Sequence, residues 1–161
     1  MASTVSLTIP LVHSLNSHSI RLRYPWNYEI ELAEPTQSGS AGRIKSAQVL
    51  KEIIIKFSEL GSGRLTVSRN FNKPSNVEGT RIKLSIPKHV DLQPSVILNN
   101  DSISAADNSN PDQKMLFEVS DMLRKNNKFS IVFEWNQFVE TEISEFLARI
   151  LESTELVIAN D

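Results

Sequence analysis

His13 and His18 stand five residues apart on either side of a polar turn, and two imidazoles facing each other across a turn are how a metal site begins. A usable site needs a third and usually a fourth ligand. The nearest carboxylates, Glu29 and Glu31, sit at no spacing that a metal imposes, so no metal is expected and the histidines read as solvent-exposed turn residues. Glu29, Glu31 and Glu34 form a short acidic row. General acid–base work needs such groups in environments that separate their pKa values, whereas Glu-Ile-Glu is what any strand with one wet face looks like. The chain has no Gly-x-Ser-x-Gly elbow, no His-Glu-x-x-His and no Ser/His/Asp order that singles out a nucleophile, so no catalytic residue is assigned. With no cysteine, thiol catalysis, Cys-ligated zinc, iron–sulfur centres and disulfide scaffolds are excluded.

The basic residues are the stronger signal. Arg21, Arg23, Arg64, Arg69, Lys73, Arg81 and Lys83 fall on the polar faces or connecting loops of predicted strands, with Lys88 beyond them and Tyr24, Trp26, Tyr28 and Phe71 close by. Such a sheet offers charge for phosphates and, at Trp26 and Phe71, rings for stacking on bases. The formal charge of −2 conceals a polarity: residues 1–90 carry 12 Lys and Arg against 6 Asp and Glu, and residues 91–161 carry 5 against 13. Opposed halves of this kind mark an anionic partner for the basic part and a basic partner for the acidic part, or two surfaces of one domain that attract each other.

These residues need elements to position them. With 161 residues, 40% hydrophobic and 22% charged, the chain is an ordinary globular one that buries about 68–70% of its unfolded surface as a single domain. Alternation of apolar and polar residues predicts an edge strand over Thr4–Val12 containing Pro10, a second strand over Ser19–Tyr24 forming a hairpin with it, and a third over Tyr28–Leu32. Ile44, Ala47, Leu50, Ile53, Ile54, Phe57 and Leu60 recur at helical spacing before Gly61 and Gly63. Further strands are predicted over Arg64–Arg69, Thr80–Ile86 and Val96–Leu98, with Asn70–Gly79 between the first two as a binding loop. Asn99–Asn110 reads as a polar mobile loop. Asn110-Pro111 reads as the cap of a helix bearing Met115, Leu116, Val119, Met122 and Leu123; a strand over Phe129–Trp135, a helix capped by Asn136 and a terminal strand over Leu156–Ala159 complete the chain. The expected fold is one α+β domain over 1–161, a mostly antiparallel sheet with about three helices packed on one face.

The stretch Gln37-Ser38-Gly39-Ser40-Ala41-Gly42-Arg43 leads from a strand toward a helix, where backbone N–H groups and the helix dipole hold phosphates. It lacks the Gly-Lys-Ser/Thr of a P-loop. It resembles the pyrophosphate loop of acyl-CoA-dependent N-acetyltransferases, although its glycine register and the order of elements around it depart from that family. The resemblance implies a small acyl-CoA-dependent transferase.

Taken together, the missing catalytic signatures and the basic face lead to a non-catalytic protein-interaction or assembly module, an adaptor or subunit that meets a protein partner or a second copy of itself. An RNA or single-stranded nucleic-acid binding protein is the alternative, and a small transferase the third reading. No cofactor is expected. Without a signal-peptide pattern, a bilayer-length apolar run or a lipidation motif, a soluble, cytoplasmic protein with no membrane partner is expected, and the Asn100-Asp101-Ser102 sequon carries no weight there.

Overall fold

The computed structural model describes residues 17–34, 39–59, 61–89, 93–105, 114–135 and 140–160. Among these residues ten strands and two α-helices follow in chain order: β1 Ser17–Arg21, β2 Trp26–Leu32, β3 Ser40–Ile44, α1 Ala47–Ser58, β4 Gly63–Asn72, β5 Thr80–Pro87, β6 Ser95–Leu98, β7 Asp101–Ile103, β8 Lys114–Glu118, β9 Asn126–Trp135, α2 Glu140–Ser153 and β10 Glu155–Asn160. They form two antiparallel sheets, a four-stranded one in the order β1-β10-β5-β8 and a six-stranded one in the order β3-β2-β4-β9-β6-β7.

The period-2 pattern explains why the sheets stack. Ile30, Leu65, Val67, Phe129, Ile131, Phe133, Val96 and Leu98 on the larger sheet are buried, as are Ile82, Leu84, Ile86, Phe117, Leu156 and Ile158 on the smaller. Two inner faces of this kind pack about 10 Å apart into a sandwich. Burial at roughly 25 cal/mol per Å² of apolar surface holds them together. Helix α2 plugs a margin between the sheets: Phe146 meets Phe133 edge-on at 6.2 Å, and the fully buried Trp26 donates its indole N–H to the Leu151 carbonyl at 3.1 Å. Helix α1 packs on α2.

This architecture corrects the expected one. Among the described residues the chain forms a two-sheet sandwich with two short helices, not an α+β sheet with three helices on one face. The helix expected after Asn110-Pro111 is strand β8 followed by a 3₁₀ turn at Ser120–Met122. Met115, Phe117 and Val119 also alternate, and pairing of β8 with β5, Leu84 opposite Phe117, places Phe117 at 3% exposure and Val119 at 1%. Sheet pairing thus outweighs the local helical spacing. Within the stretch expected to be a mobile loop, Leu98 pairs with Asp101, and Asn99 and Asn100 at φ 54° and 75° make the two-residue turn of a β6–β7 hairpin. The expected binding loop is shortened because β4 runs on to Asn72.

Of the segment likened to an acetyltransferase loop, Gln37 and Ser38 lie outside the described residues and the rest enters a strand, with Tyr28 paired to Gly42 and Trp26 to Ile44. The strand expected over Thr4–Val12, its hairpin and His13 lie outside the described residues. Among the described residues, no helix is long and apolar enough to cross a membrane.

Candidate functional site

Cross-strand registers build the site on the outward face of the six-stranded sheet. Because side chains alternate, whatever pairs with an outward residue is itself outward. Glu31 on β2, Arg64 on β4 and Glu134 on β9 are directly opposite one another. The next row is Glu29, Thr66, Val132 and Ser95, and the next runs across all six strands as Arg43, Asn27, Ser68, Ser130, Ile97 and Ser102. Asn70 with Lys128 and Asn72 with Asn126 complete the face. Apart from Val132 and Ile97, every outward position on β2, β4 and β9 and on their rows into β6 and β7 is polar.

Three concavities join along β9. A central one of about 440 Å³ is lined by Glu31, Arg64, Thr66, Ser95, Ile97, Asn100, Ser102, Lys128, Ser130, Val132 and Glu134. A second of about 320 Å³ shares Glu31, Arg64 and Glu134 with it and adds Leu32, Ala33, Ser62 and Gly63. A third of about 580 Å³ shares Asn100 and Lys128 and adds Asn70, Phe71, Asn72, Asn99, Arg124, Asn126 and Asn127. Together they make a trough that follows β9 from Asn126 to Glu134, roughly 27 Å at 3.4 Å per residue.

One end of the trough is organised by charge. Arg64 donates through Nη2 and Nε to the same Glu134 oxygen at 2.8 and 3.2 Å, and its Nη1 lies 3.6 Å from Glu31 Oε2. The hydrogen bond and charge of Glu134, assisted by Glu31, hold the guanidinium above its ordinary pKa. The other end is organised by amides. Asn127, 2% exposed, accepts from the Arg124 amide at 2.8 Å and from the Asn99 side chain at 2.9 Å, and donates to the Arg124 carbonyl at 2.7 Å. Asn99 in turn accepts from the Lys128 amide at 3.0 Å. These bonds tie the β6–β7 turn to the start of β9 and leave the cavity floor set in advance of any ligand.

The basic residues singled out in the sequence do not share one face. Arg64 lies in the trough. Arg21, Arg81 and Lys83 stand on the four-stranded sheet, where Arg21 faces Glu155 and Lys83 faces Glu118 across their strand pairs. Arg23 follows β1 and Lys73 follows β4, both exposed. Arg69 occupies an inward phase of β4, donates to the Pro25 carbonyl at 2.9 Å, and has its pKa lowered by burial. Trp26, expected to stack on a ligand, is fully buried, and Phe71 is half-buried at the wall of the amide-lined cavity. His18 is exposed on β1, His89 packs on Phe146 at 4.8 Å between ring centroids, and no group of three or more candidate metal ligands occurs among the described residues.

Sequence reasoning missed Glu134, Lys128, Ser130, Thr66 and the asparagines of β4, β9 and the β6–β7 turn as parts of one site. Their alternation was a signal, but the strand order that joins them is not local.

Known structures share this architecture. A β-glucuronidase of Faecalibacterium prausnitzii superposes with a TM-score of 0.58 at 12% identity, over 94% of this chain and 33% of that one. A β-glucuronidase from Ruminococcus gnavus in complex with D-glucuronic acid gives 0.58 at 12% identity, over 94% and 31%. An FMN-binding β-glucuronidase from Faecalibacterium prausnitzii L2-6 gives 0.53 at 12% identity, over 89% and 23%. The likeness is one of fold. This chain spans 23–33% of the length of these glycosidases. No family model matches the sequence, and no curated protein matches it.

These findings correct the expected function. The protein-interaction module was inferred from missing catalytic signatures together with a basic sheet face, and the nucleic-acid binder from the rings beside that face; the sandwich divides those cations between opposite sheets and buries Trp26. The structures that share the fold are named β-glucuronidases. The acyl-CoA transferase reading falls with the loop that became β3.

Proposed function

We propose that this chain is a non-catalytic carbohydrate-binding β-sandwich domain whose trough on the six-stranded sheet holds a saccharide. The observation that carries the reading is the outward polar face, with Glu31, Arg64 and Glu134 in register at its head. A sugar hydroxyl both donates and accepts, and this surface offers both functions side by side: carboxylates that only accept, Arg64 and Lys128 that only donate, and Ser, Thr and Asn groups that do either. Hydrogen bonds to the charged groups are the strong ones. Ile97 and Val132, half-buried on the floor, suit the C–H face of a ring. Some two-sheet β-sandwiches serve as lectin domains, and an architecture like this one recurs in enzymes named β-glucuronidases.

Binding rather than hydrolysis is favoured by the exposure and pairing of the carboxylates. A glycosidase needs one carboxyl kept protonated by burial as general acid. The Glu31 and Glu134 side chains are 62% and 70% exposed, and both engage one guanidinium.

A glycan microarray probed with the folded chain and with Arg64→Met tests this. The expected result is a defined set of bound glycans that the variant loses without a change in melting temperature. Absence of any bound glycan overturns the reading, and release of sugar from 4-nitrophenyl glycosides by the chain overturns its non-catalytic part.

A further inference from the structure

The trough is electrically polarised along β9. At the Glu31–Arg64–Glu134 end two carboxylates surround one guanidinium. At the other end the cavity of about 580 Å³ has two cations, Arg124 and Lys128, six asparagines and no carboxylate in its lining. Among the described residues neither the Arg124 guanidinium nor the Lys128 ammonium has a carboxylate partner, and both side chains are exposed. Their backbones, by contrast, are fixed: the Arg124 amide donates to Asn127 and the Lys128 amide to Asn99.

From this we infer that the amide-lined cavity receives the anionic group of an acidic saccharide, a carboxylate or a sulfate, which orients the sugar chain with its acidic unit at Arg124 and Lys128 and its neutral hydroxyls toward Glu134. The inference rests on the proposed carbohydrate-binding role and specifies its ligand class. A guanidinium offers paired donors matched to two oxygens of an anion, and a lysine adds a point charge beside it. The exposed amides of Asn72 and Asn126 supply further donors. An anion at the opposite end would instead meet the carboxylates of Glu31 and Glu134.

The test is calorimetric titration of the folded chain with three probes: a galacturonic acid hexamer, its fully methyl-esterified neutral counterpart, and a heparin hexasaccharide. Each is repeated with Arg124→Gln/Lys128→Gln, whose thermal melt is checked against the parent. The expected result is binding of the uronate or the sulfated probe at least tenfold tighter than the neutral ester, weakening with salt, with the preference abolished in the double variant. Which acidic probe wins separates carboxylate from sulfate. Equal affinity for neutral and acidic probes, or a preference that survives the double variant, overturns the inference and leaves the carbohydrate-binding reading standing. If no glycan binds in either these titrations or the microarray, both fall.

Discussion

Asn127→Ala removes the clamp beneath the amide-lined cavity, and the structure sets the size of the effect. The side chain makes three bonds of 2.7–2.9 Å, two of them to the Arg124 backbone, and a weaker one to the Phe71 carbonyl at 3.5 Å. Each intramolecular hydrogen bond contributes about 1 kcal/mol net, and a buried group left unpaired costs more. The neighbouring cavity admits water, which restores part of the loss. The expected destabilisation is therefore about 2–3 kcal/mol, or roughly 4–12 °C in melting temperature for a chain of this size. Urea unfolding should show a lower midpoint at unchanged slope. Asn99→Ala also removes three bonds, to Met122, Asn127 and Lys128, and sets alanine at φ 54°, so it should cost a comparable amount, and the double variant should fall short of additivity because the two residues share a bond. A loss under about 0.5 kcal/mol, typical of a surface substitution, would refute the idea that these amides organise the site.

Other perturbations follow from the same geometry. Trp26→Phe removes the indole donor and strands the buried Leu151 carbonyl, and it should cost about 1–3 kcal/mol in urea unfolding. Tyr24 has its pKa raised above 10.0 by burial first and by Glu152 second. The folded chain then retains this proton where the unfolded chain has lost it, so stability falls as pH rises from about 10 through the folded-state value. Comparing urea midpoints at pH 9 and 11 should show this fall, and Tyr24→Phe should reduce it. Glu134→Gln should weaken saccharide binding by calorimetry without changing the fold, since the side chain is 70% exposed.

Much of the sandwich can be read locally. The outward and inward phases of β2, β4, β5 and β9 follow from period-2 alternation, and α1 from helical spacing that begins three residues later than its first apolar position because Ile44 belongs to β3. What sequence cannot show is which strands become neighbours. Arg64 and Glu134 are 70 residues apart, and only the β4–β9 pairing makes them one feature. Alternation likewise puts Arg64 and Arg81 on wet faces but not on the same sheet. Strand β8 was hidden because Met115, Leu116, Val119, Met122 and Leu123 satisfy a helical stripe while Met115, Phe117 and Val119 satisfy a strand, and only β5 decides between them. The β6–β7 hairpin was hidden because β7 is three residues long with one apolar member, Ile103, although Asn99-Asn100 is a residue pair suited to a positive-φ turn.

Amide chemical-shift mapping during titration with the tightest-binding glycan tests the central claim most directly. Shifts confined to β4, β9 and the β6–β7 turn, centred on Thr66, Lys128 and Ser130, are what a saccharide in the trough produces. Shifts centred instead on Arg81, Lys83 and Glu118 of the four-stranded sheet would contradict it.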